Sequence, residues 1–169
     1  FSLPETDGTG NVRELARRAL ALLKEAGWEI KDGKMTETKT GRKLAFEMLL
    51  NDASFERVAL PYKQNLERIG VDMNVRTVDT AQFKRRMDEF DFDMVVEGFG
   101  QSLSPGNEQR DYWGSKAAET PGSRNTIGVR NEAIDRLVET LIAAPDRESL
   151  IAATRALDRV LLWSHFVVP

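Results

Sequence analysis

The sequence contains few side chains of the types that enzymes use for catalysis. It has no cysteine and a single histidine, His165, so thiol catalysis, disulfide bonds and a Cys/His zinc cluster are excluded. A Ser-His-Asp site would have only this one candidate base. His165 lies close to Trp163 and Phe166 in an apolar stretch, which favours a packed, hydrogen-bonded core histidine over a functional one.

Neighbouring carboxylates and glycine-containing motifs are the remaining candidates for chemistry. Carboxylates occur in pairs at residues 88–89 and at Asp91 and Asp93, but these positions favour solvated charges at loops and helix ends. Residues 102–106 do not form a nucleophile elbow, and residues 98–100 lack the rest of a dinucleotide-binding fingerprint. We therefore expect no catalytic residue, no metal site and no cofactor, and we predict that the protein is not an enzyme.

The composition is that of an ordinary globular domain. Its 169 residues are 41% hydrophobic and 30% charged, which allows a buried core, and no apolar run is long enough to span a bilayer. The net charge of −3 gives no reason to expect a nucleic-acid or anionic-membrane partner, and acidic neighbours offset the basic residues 84–86. Residues 1–4 lack the basic region of a signal peptide, and residues 167–169 are apolar. We interpret the chain as a piece of a longer protein.

Hydrophobic periodicity predicts alternating helices and strands in residues 11–97. A first helix, with Asn11 as its cap and Gly27 as its stop, precedes a hairpin whose Asp-Gly turn at residues 32–33 tolerates positive φ angles. Pro61 is expected to kink the second helix rather than divide it. Strand, helix, strand, helix and strand in succession predict a βαβαβ unit with a parallel sheet and right-handed crossovers. The predicted elements of this unit are strands at 44–50, 71–77 and 92–97, and helices at 54–69 and from 79 or 80.

A long polar segment, residues 98–130, follows the last of these strands. It contains a short predicted helix around residues 107–113, whose aromatic side chains can anchor the segment to the core. A loop of this length inside a compact domain is usually functional or disordered. Two helices follow, with Asn131 and Asp146 at their starts, and residues 165–168 are predicted to close the chain as a strand.

The segment after the last strand of the βαβαβ unit is the strongest candidate for a binding site. Ligands in open α/β sheets lie beyond the carboxyl ends of the strands, and this strand should be central or next to central in the sheet. Gly98 and Gly100 let the backbone approach a ligand closely. Phe99 offers an apolar face, and Gln101 and Ser102 offer polar groups. The alternative interpretation is a surface loop in which the glycines only form turns.

Four segments carry a resemblance to a known family. They are ARRALALLKEAGW, LERIGVDMNVRTVDTAQFKRRMDEFDFDMVVEGFG, NTIGVRNEAIDRLVETLIAA and ALDRVL, and together they span most of the chain. In these segments the chain resembles the C-terminal lobe of the family 5 extracellular solute-binding proteins, the oligopeptide/dipeptide/nickel-binding group that serves ABC importers. The segment SLSPGNEQRDYWGSKAAETPGSRN is similar to the YejA-like branch, which is associated with peptides and peptide-like molecules.

This resemblance implies a type II periplasmic-binding-protein fold, in which two α/β lobes close on a solute like a Venus flytrap. Residues 1–169 would form part of the C-terminal lobe, with the N-terminal lobe absent from the chain. The implied function is the capture of oligopeptides or peptide-like solutes in the periplasm and their delivery to the permease subunits of an ABC transporter. The implied protein is a monomer with no nucleic-acid partner. The alternative is the ligand-sensing domain of a transcription regulator, which shares the fold.

The resemblance also implies where the solute binds. In peptide-binding relatives a Gly-Trp segment ends the corresponding strand, and a nearby aspartate holds the amino terminus of the peptide. Phe99 stands at the tryptophan position and Ser102 at the aspartate position, so Glu108 and Asp111 become candidate substitutes, unless the solute is held differently. Arg110 can meet a carboxylate bidentately or form a surface salt bridge with Glu108 or Asp111. We predict that the binding wall comprises Phe99, Gly100, Gln101, Ser102, Asn107, Arg110 and Asn125.

Overall fold

A computed structural model describes residues 4–5 and 8–168 of the chain. These residues form two compact units. The first unit extends to Lys84 and includes Phe92–Val96, and the second consists of Arg85–Asp91 and the residues from Glu97 onward. Residues 1–3 and 169 lie outside the described residues, and they include most of the two chain ends that led us to interpret the chain as a piece of a longer protein. No helix in the described part of the chain is long and apolar enough to cross a membrane.

The first unit begins with a helix and a hairpin. Helix α1 (Arg13–Glu25) is followed by strands β1 (Trp28–Lys31) and β2 (Lys34–Glu37), which pair in an antiparallel register. Asp32 and Gly33 have φ angles of 50° and 75°, and a type I′ turn requires positive φ at both positions. The predicted hairpin is therefore confirmed.

The start of α1 differs from the prediction. The amide of Ala16 donates to the carbonyl of Val12 at 2.8 Å, which makes Val12 the N-cap, and a valine side chain cannot accept a hydrogen bond. Asn11 Oδ1 accepts from the amide of Arg13 at 3.4 Å. The prediction of Asn11 as the cap is wrong, because the first helical hydrogen bond forms one residue later than expected. Gly27, with a φ of 87°, follows the last turn as predicted.

A βαβαβ succession follows the hairpin, as predicted. Its elements are β3 (Ala45–Leu50), α2 (Glu56–Glu67), β4 (Asp72–Thr77), α3 (Thr80–Asp88) and β5 (Met94–Val95). The strand order is β4-β3-β5, and β3 pairs in parallel with both neighbours. Met48 and Leu50 of β3 pack with Ala59 of α2 and Met73 of β4 in a buried cluster. The predicted α/β class with a parallel sheet is confirmed.

Pro61 lies inside α2, and the helix continues through it without a break. The prediction that this proline does not divide the helix is confirmed. The helix begins two residues later than predicted, because a single 3₁₀ turn, Ala53–Phe55, comes first. Asp52 starts this turn by accepting the amide of Ser54 at 2.8 Å, and this hydrogen bond holds the pKa of Asp52 below its ordinary value.

Strand β5 is much shorter than the strand predicted at residues 92–97. It lies at the edge of the three-stranded sheet, next to the central β3. Immediately before it, Asp93 Oδ2 accepts the amide of Glu47 at 2.9 Å. A side-chain oxygen thus takes the place of a backbone carbonyl in the ladder, which is why regular pairing starts only at Met94.

The second unit is helical, and its three helices match the predicted ones. Asn131 Oδ1 accepts two amides at the start of the second of them. Asp146 Oδ1 accepts the amide of Ser149 at 2.8 Å at the start of the third, which lowers the pKa of Asp146. Both predicted caps are confirmed. The helices are α4 (Glu108–Trp113), α5 (Glu132–Ile142) and α6 (Arg147–Trp163).

The predicted strand at residues 165–168 is absent, because the chain there leaves α6 through a turn. The amide of Ser164 donates to the carbonyl of Val160, and the amide of His165 donates to that of Leu162, so the last helical turn continues past Trp163. His165 then adopts a φ of 53° and is exposed. The prediction of a packed core histidine is therefore wrong.

Candidate ligand-binding site

The candidate segment, residues 98–102, is held against the core of the second unit by aromatic contacts. The half-buried ring of Phe99 lies 4.8 Å from the ring of Trp113 and 5.5 Å from that of Tyr112, measured between centroids. Tyr112 and Trp113 belong to α4 and are 5% and 7% exposed. The prediction that these two aromatic residues anchor the long loop is confirmed.

Two carbonyls of this segment are bound by side chains of the same loop. Arg124 Nη2 donates to the carbonyl of Gly98 at 2.8 Å, and the hydroxyl of Tyr112 donates to the carbonyl of Gly100 at 3.1 Å. The guanidinium of Arg124 also stacks over the Tyr112 ring at 4.8 Å and lies 3.9 Å from the carboxylate of Glu97. Arg124 and Tyr112 therefore fix one side of the segment.

Phe99 and Gln101, on either side of Gly100, leave their backbone groups unbonded. The backbone N–H and C=O of Phe99 and of Gln101 form no hydrogen bond with any other residue that the structure describes. We call these four groups the open edge. Gly100 is exposed and has nothing within 3.9 Å of the position that a Cβ would take, its nearest neighbour being the Tyr112 hydroxyl at 4.0 Å. A ligand can therefore approach this backbone closely.

Gln101 and Ser102 line a pocket of about 450 Å³ in the second unit, which we call the α6 pocket. Gln109 connects this pocket to the core: its Nε2 donates to Gln101 Oε1 at 2.8 Å, and its Oε1 accepts from Trp113 Nε1 at 3.0 Å. Gln109 is only 3% exposed and was not among the predicted residues. Its spacing of four from Trp113 on one helical face was the available signal.

Asn107 and Arg110 form a separate cluster on the surface of α4. The guanidinium of Arg110 donates bidentately to the carboxylate of Glu139 on α5, with both distances at 2.6 Å, and also donates to Asn107 Oδ1 at 2.6 Å. This contact holds the pKa of Glu139 below its ordinary value. The salt bridge expected for Arg110 is present, but the predicted partners, Glu108 and Asp111, are wrong, because α5 brings Glu139 to it.

Asn125 is fully buried, and its side chain holds the loop together. Its Nδ2 donates to the carbonyls of Gly114 and Val129 at 2.9 and 3.0 Å, and its Oδ1 accepts the amide of Val129 at 2.8 Å. Both amide hydrogens are thus committed to backbone carbonyls. The buried side chain of Asn125 therefore has no amide hydrogen left to donate to a ligand.

The acidic residues near the segment have structural contacts of their own. Glu108 Oε1 accepts the amide of Gly106 at 2.8 Å, and this hydrogen bond is the main reason that the pKa of Glu108 is lowered. Asp111 is exposed on α4. Asp91 pairs with Arg86 at 2.9 Å. The described residues contain no group of three or more acidic or histidine side chains close enough to hold a metal ion.

Comparison with known proteins places the chain in a family. The family model of the bacterial extracellular solute-binding proteins, family 5 Middle, matches residues 3–121. The chain is 46% identical to the probable peptide-binding protein YejA of Agrobacterium fabrum, over 93% of this chain and 26% of YejA. It is 44% identical to the peptidoglycan-binding protein YepA of the same organism, over 100% of this chain and 27% of YepA. The chain spans about a quarter of the length of the curated relatives that it matches.

A solved structure shares the fold. The oligopeptide-binding protein AppA from Bacillus subtilis, determined in complex with a nonapeptide, superposes with a TM-score of 0.75 at 24% identity, covering 86% of this chain and 29% of AppA. The predicted fold, that of a periplasmic binding protein, is confirmed. The family is one of solute-binding proteins and not of enzymes. Because the family model covers well over half of the residues, the chain belongs to the family 5 bacterial extracellular solute-binding proteins.

Proposed function

We propose that the protein containing this chain is the solute-binding component of an ABC importer, and that it captures oligopeptides or peptide-like solutes and delivers them to a membrane permease. Family membership supports the solute-binding role. The relatives named for peptide and peptidoglycan binding support the ligand class. The observation that carries the peptide assignment is the open edge at Phe99 and Gln101.

An extended peptide complements this edge because it offers backbone donors and acceptors at matching intervals. Pairing of a peptide with an exposed backbone segment provides affinity through main-chain hydrogen bonds, independent of the peptide sequence. The arrangement needs no buried charge, so it avoids the large cost of desolvating an unpaired ion. Arg124 and Tyr112 support it by holding the carbonyls on the other side of the segment, which reduces the ordering that binding would require.

The remaining features of the proposal follow from family membership. We propose that the chain forms part of the C-terminal lobe, and that a second lobe completes the cleft, because a pocket that buries most of a ligand needs walls on both sides. The family is extracellular by description, and we propose a periplasmic location. We further propose a monomer that contacts a permease and no nucleic acid. No observation on the described residues favours a transcription regulator.

Calorimetry on the protein at its natural length tests the ligand class. Tri- to pentapeptides are titrated, and the best ligand is compared with versions methylated at one backbone nitrogen at a time. Methylation deletes one hydrogen-bond donor of the peptide without changing its charge. A hydrogen bond contributes about 1 kcal/mol, so at least one methylated version should bind about fivefold more weakly. Equal affinity of all methylated versions would show that the open edge is not used. A complete lack of peptide binding would overturn the peptide assignment.

Delivery is tested separately in cells. A strain lacking the gene should fail to take up a labelled peptide that binds in calorimetry, and uptake should return when the gene is restored. Normal uptake by the deletion strain would show that the protein does not supply that peptide to a permease.

A further inference from the structure

Apolar residues form much of the lining of the α6 pocket, and some of them are exposed. Trp113 and Leu157 are buried in its wall, while Leu103 and Ile151 line the pocket with 88% and 39% of their surface exposed. Exposed apolar side chains that gather at one concave site mark a surface that binds an apolar group. A volume of about 450 Å³ lies toward the small end of ligand pockets, which suits one or two residues rather than a whole oligopeptide.

The charged residues that line the pocket are two arginines and one aspartate, so positive charge exceeds negative charge there. Arg147, Arg155 and Asp158 of α6 all line it, and none of their three side chains forms a hydrogen bond or ion pair with any described residue. Arg147 and Arg155 are eight residues apart, about 12 Å along the helix axis, with Ile151 between them. An apolar group over Ile151 can therefore bring an attached anion to one of the two guanidinium groups.

The pocket is also continuous with the open edge. The backbone N–H and C=O of Gln101 belong to the open edge, and Gln101 and Ser102 both line the pocket. Gln109 holds the Gln101 side chain in place from the buried face of α4. A peptide paired with the open edge thus reaches the pocket at the position where the edge stops.

We propose that the α6 pocket binds the C-terminal residue of a peptide, taking an apolar side chain between its walls and the terminal carboxylate at Arg147 or Arg155. This proposal rests on the proposed function and deepens it by naming a preference for peptides that end in an apolar residue with a free carboxylate. The same chemistry, an apolar group next to a carboxylate, also occurs in small acylated amino acids, and the test separates the two sources.

The test uses the natural-length protein and matched probes. Gly-Gly-Leu is compared in calorimetry with its C-terminal amide and with Gly-Gly-Gly. N-acetyl-leucine and its amide are titrated while the methyl group of Ile151 is followed by NMR. The variants are R147Q, R155Q and the double variant. The control variant is R159Q, which removes an exposed arginine of the same helix that does not line the pocket.

We expect Gly-Gly-Leu to bind at least about tenfold more tightly than its amide or Gly-Gly-Gly. The double variant should abolish the preference for the carboxylate, R159Q should retain it, and N-acetyl-leucine should shift the Ile151 methyl signal. If all three peptides bind equally and the Ile151 signal never moves, the pocket proposal is wrong while the proposed function stands. If the double variant loses stability without any change in ligand preference, the pocket packs against another segment of the protein, which also overturns the proposal.

Two further outcomes separate this proposal from the proposed function. If N-acetyl-leucine binds at Ile151 but no peptide binds at all, the pocket takes a small apolar carboxylate. The ligand of the pocket is then not a peptide, and the proposed function is wrong as well. If neither the peptides nor N-acetyl-leucine bind, the pocket proposal and the proposed function are both wrong.

Discussion

Polar groups at two places in the long loop of the second unit differ in their hydrogen bonding. At Asn125 the side chain is fully buried and binds the backbone at Gly114 and Val129 through three hydrogen bonds. At Phe99 and Gln101 the backbone groups stay unbonded to any described residue. Both places are rich in polar groups in the sequence, but only the second has hydrogen-bonding capacity left for a ligand.

The difference follows from the cost of an unsatisfied polar group. A buried amide without partners costs about 1–3 kcal/mol, so Asn125 is stable in the interior only with its contacts complete. Gln101 is exposed, so water can bond to its backbone groups in the absence of ligand. A satisfied polar group in a loop therefore has a structural role, and an open one retains the capacity to bond to a ligand.

The largest effect on stability should come from the buried amide. Asn125→Ala removes three hydrogen bonds and leaves the buried backbone groups of Val129 without their partner, so the free energy of unfolding should fall by about 2–5 kcal/mol. Urea titration followed by circular dichroism measures the change. Asn107→Ala, at an exposed position of the same loop, should cost less than about 1 kcal/mol. Equal losses for the two variants would contradict the structural role assigned to Asn125.

The next effect concerns the apolar contact beside the open edge. Phe99→Ala should weaken peptide binding by about 1–3 kcal/mol, since it removes apolar surface next to the ligand and loosens the segment from Tyr112 and Trp113. Phe99→Leu retains an apolar side chain and should lose less. Calorimetry with the best peptide ligand measures both variants. Unchanged affinity in Phe99→Ala would remove Phe99 from the binding wall.

A smaller effect is expected from the hydroxyl that holds the other side of the segment. Tyr112→Phe keeps the ring but frees the carbonyl of Gly100, so peptide affinity should fall by about 1 kcal/mol, or about fivefold. The matched control is Tyr62→Phe, since the hydroxyl of Tyr62 in the first unit has no hydrogen-bond partner among the described residues. If both variants bind peptide like the unmodified protein, preorganisation by Tyr112 is not important for binding.

The smallest effect is a pH dependence at the surface cluster. Arg110 lowers the pKa of Glu139 from its ordinary value of 4.5, so this ion pair stabilises the fold above about pH 4.5, and the contribution is lost as the pH falls through the lowered pKa. The stability difference between the unmodified protein and Glu139→Gln should therefore shrink in acid. Glu89→Gln, at an exposed carboxylate without an ion pair among the described residues, is the matched control for removing a surface charge outside the cluster. A difference that stays constant from pH 7 to pH 3 would contradict the assignment.

Local patterns predicted much of the backbone. The Asp-Gly turn, the caps Asn131 and Asp146 and the continuous helix around Pro61 depend on residues within one or two turns of each other. Some predictions failed because a partner distant in sequence decided the outcome. Strand β5 starts later than predicted because the amide of Glu47, 46 residues away in sequence, donates to the Asp93 side chain.

The candidate site shows the same division. The sequence by itself determined that residues 98–102 begin a long polar loop with Tyr112 and Trp113 as its anchors, because glycine content, loop length and aromatic spacing are local properties. Only the tertiary structure decided which polar groups of that loop form hydrogen bonds within the protein. Arg110 meets Glu139 and Asn125 is sealed inside the loop, while the backbone at Phe99 and Gln101 stays open, because hydrogen-bond satisfaction depends on what the fold brings within about 3 Å of each group.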